Sequence, residues 1–324
     1  MRKQQRFVPS GGGNLPDLPG SLRHRRRLNL RRLAVLAITW LLFIVAASRI
    51  PAAAADLAKA TTSRAARQAA IQSMPLDKLD AAGRDKVAAV LDNVSIYRRL
   101  PVQIIGADPQ LYLFLVNNPD AVVNLWEVLG ISQITLRRNA DGTFAANDGQ
   151  GMQGQVEFLH RSANTHVIYT EGEYRGPLSS KPVRGSCVML LKSGYIRQSD
   201  GKAYVTSQLD IFIRLEHVGM ELIARTFQPV IGKVADYNFL ESTGFVSSIS
   251  QTAEVNPAAA VELASRMEYV PEEERQQMVV LLDRIGHEAM TRSEQVASLA
   301  PPERRVAEPK SEPPRQRTTP AFRR

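Results

Sequence analysis

The stretch from Lys202 to Leu215 places the tightest constraint on the fold, because its residues alternate without interruption. Ala203, Val205, Ser207, Leu209, Ile211, Ile213 and Leu215 stand on one side, with Lys202, Tyr204, Thr206, Gln208, Asp210, Phe212 and Arg214 on the other. A period of two is the strand period, and this pattern predicts one dry face and one wet face. At about 3.3 Å per residue such a strand reaches about 45 Å, too long to stay flat, so a strongly twisted or curved sheet is expected. Five more candidate strands precede it, at 131–138, 143–147, 153–160, 165–174 and 187–196. Asp141-Gly142, Ser193-Gly194 and Asp200-Gly201 are the turn signals among them. The reading is an antiparallel meander.

Helical signals flank the meander. Residues 79–91 read as an amphipathic helix, and 97–105, with Val102, Ile104 and Ile105, as a first strand. Asp108-Pro109 and Asn118-Pro119 each set an N-cap acceptor before a proline at the first helical position, where no amide donor is needed. From Val218 to about Ser250 the period is helical again, with Pro229 expected to kink or break the first half. Asn256-Pro257 opens another helix, and Pro271 with Glu272, Glu273 and Glu274 opens one more. The expected class is therefore α+β: a curved antiparallel sheet of about six or seven strands, a long C-terminal helix, and extra helices behind it.

Charge separates the ends from the body. The chain carries +9 overall, but residues 1–32 hold nine basic residues and one acid, and residues 301–324 seven and three. The body, 33–300, is left with 25 basic against 28 acidic residues. A nucleic-acid partner is not expected from a body of that balance. Arg23, Arg25, Arg26, Arg27, Arg31 and Arg32 stand before the uncharged run Leu33 to Ser48, an order that keeps the N-terminus in the cytoplasm and sends the rest across a membrane. At 1.5 Å per residue the run reaches about 24 Å, which suits a signal peptide, and Ala53 and Ala55 before Asp56 supply a small-residue cleavage pattern. If Arg49 snorkels, the span extends to Ala55 and serves as a retained anchor. Both readings place the body at the cell membrane or on its extracytoplasmic side. The last 24 residues hold six prolines and are expected to stay unfolded, with a basic excess suited to lipid headgroups or an anionic envelope polymer.

No catalytic signature emerges. A G-x-S-x-G elbow, a Ser-His-Asp pattern and a phosphate-binding glycine loop are missing from the sequence, and no cofactor is expected. The single cysteine, Cys187, alternates with Met189 and Leu191 and reads as a buried small hydrophobe. His160 and His166 flank a short turn and would share a metal if they met across a hairpin, though strand-end histidines beside a solvated turn are the commoner outcome. Glu216-His217 is better read as a local surface pair than an acid/base pair, since adjacent strand residues point to opposite faces. The informative anomaly is on the long helix, where continuing the apolar stripe from Val234 places Asn238 and Glu241 on the dry side. Buried polar groups need partners, so these two either bond the protein or meet the polar end of a ligand.

One strand, two helices, about six antiparallel strands and a long helix, in that order over about Ser95 to Gln251, is similar to the helix-grip superfamily, the START-like and polyketide-cyclase-like lipid-binding proteins. The resemblance implies a sheet gripping the long helix, with an apolar ligand cavity between them. The helices after Pro257 extend beyond that plan. The expected organisation is a basic leader (1–32), a signal peptide or transmembrane anchor (33–55), a tether (56–78), the helix-grip domain (79–255), a helical extension (256–296) and a Pro/Arg-rich tail (297–324). Two functions compete: binding of an apolar, lipid-like small molecule, or a structural and interaction module of the cell envelope. A cavity of about 300 Å³ or more would favour the first, and a filled interior the second.

Overall fold

The computed structural model describes residues 59–299 apart from 178, 180, 200, 220 and 221. The leader, the apolar run, the start of the tether and the tail after 299 lie outside the described residues. Among the described residues, no helix is long and apolar enough to cross a membrane.

The fold is α+β. Among the described residues eight strands form one open antiparallel sheet: β1 (Ile96–Arg99), β2 (Gln103–Gly106), β3 (Thr135–Arg138), β4 (Phe144–Asn147), β5 (Met152–Arg161), β6 (Thr165–Tyr174), β7 (Val183–Arg197) and β8 (Ala203–Leu215). The order runs β1-β8-β7-β6-β5-β4-β3, and β2 shares the same edge of β8 as β1. β1 opposes Asp210 to Ile213, and β2 opposes Tyr204 to Ser207. The expected single strand over 97–105 is thus two strands. The break falls at Leu100-Pro101, because proline has no amide hydrogen to give to the ladder.

Seven α-helices among the described residues accompany the sheet: α1 (Arg64–Gln72), α2 (Ala81–Leu91), α3 (Pro109–Asn117), α4 (Pro119–Val128), α5 (Gln228–Val255), α6 (Pro257–Ser265) and α7 (Glu272–Leu299). Asp108 caps α3 as expected, its carboxylate accepting from the amides of Gln110 and Leu111. Asn118 behaves differently. It makes no side-chain cap on α4, and its amide donates to the carbonyl of Phe114 instead. Pro229 sits in the first turn of α5, where it is tolerated, and a π-helical turn at Ile223–Phe227 precedes it. The described part of the helical extension runs past its expected end, to Leu299.

The sheet has a core on each side. The larger, helix-rich core takes Val205, Leu209, Ile211 and Ile213 from β8, Trp126 from α4, and Phe239, Phe245, Val246 and Ile249 from α5. The smaller core joins Phe212, Val188 and Leu190 to Tyr97 and to Ala70, Val87 and Val90 of α1 and α2. This corrects the expectation of a wet outer face, since Phe212 and Asp210 are both fully buried. Asp210 is held by the Tyr97 hydroxyl at 2.7 Å and by the Arg99 guanidinium at 2.8 and 3.1 Å. It also shows that 64–72 is a docked helix within the expected tether: Ser63 caps α1, and Ala70 lies flush against the second core.

Candidate functional site

Between the larger face of the sheet and helices α3, α4 and α5 lies a cavity of about 60 Å³. The proline-started α3 and α4 bring Tyr112, Leu115, Val122, Val123 and Trp126 to one wall, and α5 contributes Phe239, Ser242, Thr243 and Val246. Met189, Leu191, Ser207 and Leu209 form the sheet side. No Asp, Glu, Lys, Arg or His lines it. Its hydroxyls take part in bonds with one another or with their own backbone. The Tyr112 hydroxyl lies 2.8 Å from Ser193 Oγ and donates to Ser207 Oγ at 3.1 Å, and burial pushes its pKa up. The Ser242 and Thr243 hydroxyls donate back to carbonyls of α5. Trp126 is 1% exposed, with its ring edge-on to Phe245, and its Nε1 has no acceptor among the described residues.

A second concavity of about 460 Å³ opens between α4 and the α6–α7 junction, lined by Asn124, Glu127, Tyr269 and Arg275 among others. Its side chains hold the junction together. Asn124 Oδ1 accepts the Glu268 amide at 2.8 Å, Glu127 takes Arg137 at 3.0 Å, and Arg137 stacks 3.8 Å from the centre of the Tyr269 ring.

The residues singled out in the sequence fall in different places. Asn238 lies on the buried stripe of α5 and is 5% exposed, whereas Glu241 is only half-buried. Neither is among the residues lining the 60 Å³ cavity; Asn238 stands one turn before Ser242, whose hydroxyl bonds its carbonyl at 2.8 Å. The two histidines do not converge. A bulge at Leu159 sets His160 opposite Val167 and His166 opposite Arg161, and directly opposed residues share a face. Their rings therefore project to opposite sides of the sheet, and no cluster of three His, Cys, Asp or Glu able to hold a metal exists among the described residues. Glu216 pairs with Arg214 at 3.6 Å, and His217 takes a φ of 55° at the end of β8. Cys187 is buried, which pushes its thiol up to about 12.

His166 has a structural consequence of its own. It is fully buried, its Nε2 lies 3.2 Å from Asn117 Oδ1, and desolvation, aided by the charge of Arg161, lowers its pKa from 6.5 to about 4. The fold therefore holds it neutral while the unfolded chain takes up a proton. Stability is complete above about pH 6.5 and falls as the pH drops toward 4, by about 3 kcal/mol in all. Denaturant titrations between pH 7 and 4 should show that slope, and His166→Gln should flatten it. An unchanged slope in the variant would mean that another group carries the acid sensitivity.

No protein-family model matches the chain, and no curated protein sequence matches it either. Among solved structures, a conserved protein from Geobacillus kaustophilus is 12% identical, over 47% of this chain and 93% of its own, with a TM-score of 0.31. A hypothetical protein from Helicobacter pylori is 11% identical over 47% and 87%, with a TM-score of 0.29. Dicamba monooxygenase bound to 3,6-dichlorosalicylic acid is 11% identical over 68% of this chain and 64% of that one, with a TM-score of 0.31. Likenesses this distant assign neither family nor activity. The class, an α+β protein with an open antiparallel sheet, comes from the chain's own topology.

Proposed function

We propose that the chain is an exported or membrane-anchored protein whose helix-grip domain holds a small apolar molecule between α5 and the sheet. The observation that carries this reading is the cavity itself: it sits where the long helix crosses the sheet, its wall is apolar, and no charged side chain enters it. At about 60 Å³ it takes a molecule of a few heavy atoms as it stands. A longer ligand would extend along α5 toward Asn238, one turn before Ser242, and Glu241, the residue next to Ser242, and would need the helix to move outward. The leader and apolar run at 23–55 support the location, and the basic tail supports contact with lipid headgroups or an anionic polymer.

A second reading, an interaction module of the cell envelope with a filled interior, is favoured by the same volume, which is well below the roughly 300 Å³ of ordinary ligand clefts. Native mass spectrometry of the full chain purified from membranes separates them. A bound apolar molecule, released on denaturation and raising the melting temperature when added back, is the expected result. A bare chain whose melting temperature no lipid extract moves would establish the module. N-terminal sequencing of the same material distinguishes a start at Asp56 from an intact anchor.

A further inference from the structure

The two halves of α5 have different outer sides. Over the second half lies α7: Arg292 pairs with Glu254 at 3.8 Å, and a Cβ at Gly286 would stand 3.1 Å from the Ala253 carbonyl. Over the first half no helix packs among the described residues, and Tyr237 and Leu240 are 46% and 54% exposed. Pro229, Lys233, Tyr237 and Leu240 follow one another at helical spacing, so they share one face, and all four are exposed. Arg225 is exposed in the turn before them. Of the nearby acids, Asp236 accepts the Arg98 Nε hydrogen at 2.7 Å and is neutralised there, and Glu241 is half-buried. An aromatic and an aliphatic side chain with basic neighbours is the pattern of a helix lying against an anionic lipid surface.

The length of chain before the body says where that surface is. Thr61 pairs with Arg99 at the edge of β1 through two backbone bonds of 2.9 Å. The next residue along β1, Arg98, holds Asp236, which precedes Tyr237 on α5. The chain therefore enters the body beside the exposed face. Six Cα–Cα steps separate Thr61 from Ala55, the end of the apolar run in its anchored form, and fully extended they span at most about 21 Å. A retained anchor thus holds this edge of the body close to the bilayer. We propose that the face of α5 from Pro229 to Leu240 rests on the anionic phospholipid leaflet from which the anchor emerges. The inference depends on the retained-anchor form of the reading above and adds the surface that the body turns to the lipid.

The test uses the full chain in nanodiscs of phosphatidylcholine and phosphatidylglycerol, with the fluorophore NBD on Leu240→Cys or, as a control on α7, on the exposed Val280→Cys. Cys187 is buried and does not compete for the label. The label at 240 is expected to be quenched by nitroxide-bearing lipid and to be at least about threefold less open to aqueous iodide than the label at 280. Lys233→Glu with Tyr237→Ser is expected to cut the lipid quenching at 240 by about fivefold. If that quenching survives both substitutions, the tether alone keeps the label near the bilayer and the docking surface is overturned. A label at 240 as open to iodide as that at 280, in a chain that does enter nanodiscs, overturns the inference and leaves the anchor standing. Protection from iodide without lipid quenching means that protein covers the face, a second copy included, and overturns it too. A chain that begins at Asp56 and stays out of nanodiscs removes the anchor and the inference together.

Discussion

Arg138→Leu is expected to lower the free energy of unfolding by about 3 to 5 kcal/mol. The Asp120 carboxylate is fully buried and accepts two bonds from the Arg138 guanidinium, both at 2.9 Å. The same guanidinium donates to Asn118 Oδ1 at 2.9 Å, lies 3.2 Å from Glu274, and stands over the Phe144 ring. One arginine of edge strand β3 thus ties the start of α4 to the start of α7. Removing it leaves the buried carboxylate without its hydrogen-bonded countercharge, with only the longer-range charge of Arg161 nearby, and that desolvation cost is the source of the loss, since an intact buried pair contributes little net stability. Asp120→Leu added to Arg138→Leu should therefore restore most of the stability. Urea unfolding of the three proteins decides the matter; an Arg138→Leu variant within about 1 kcal/mol of the parent would show that water or another cation compensates for the loss.

Phe212→Ala is expected to cost a comparable amount, about 3 to 5 kcal/mol. The ring is fully buried in the smaller core, 5.0 Å from that of Tyr97, with Val87, Val90, Val188 and Leu190 in the same cluster. A phenylalanine on the solvated face of a strand would tolerate alanine with almost no loss. Thermal melts would then distinguish a sheet covered on both faces from the one-sided sheet that the alternation implied.

That contrast shows where the sequence is legible and where it is not. The meander, its order and both bounds of β6 follow from alternation and turn residues, which are local signals. The cover of α1 was not legible, because its docking residue is Ala70, and a small side chain that permits close approach leaves little trace in a hydrophobicity pattern. Ser193-Gly194 reads as a turn yet lies inside β7, where the Ser193 hydroxyl is engaged by Tyr112 from across the core. Of the cavity, Ser207 was visible as a polar residue on the dry side of the alternating strand; Asn238, equally visible as a polar residue on a buried stripe, lies outside the lining. The cavity's volume and the unaccepted Trp126 hydrogen depend on how helices from distant parts of the chain pack, and no spacing in the sequence encodes them.

The pairing of β1 with β8 also sets a schedule. Ile96 lies opposite Ile213, so the strand that opens the sheet waits for the strand that closes it. At about 5 to 20 residues per second, a chain emerging from its N-terminus exposes β1 for roughly 6 to 23 seconds before that partner exists. The core residues of α3 and α4, including Leu111, Leu115 and Trp126, are synthesised within this interval, before the β8 residues that they pack with. A holding chaperone has that window in which to act.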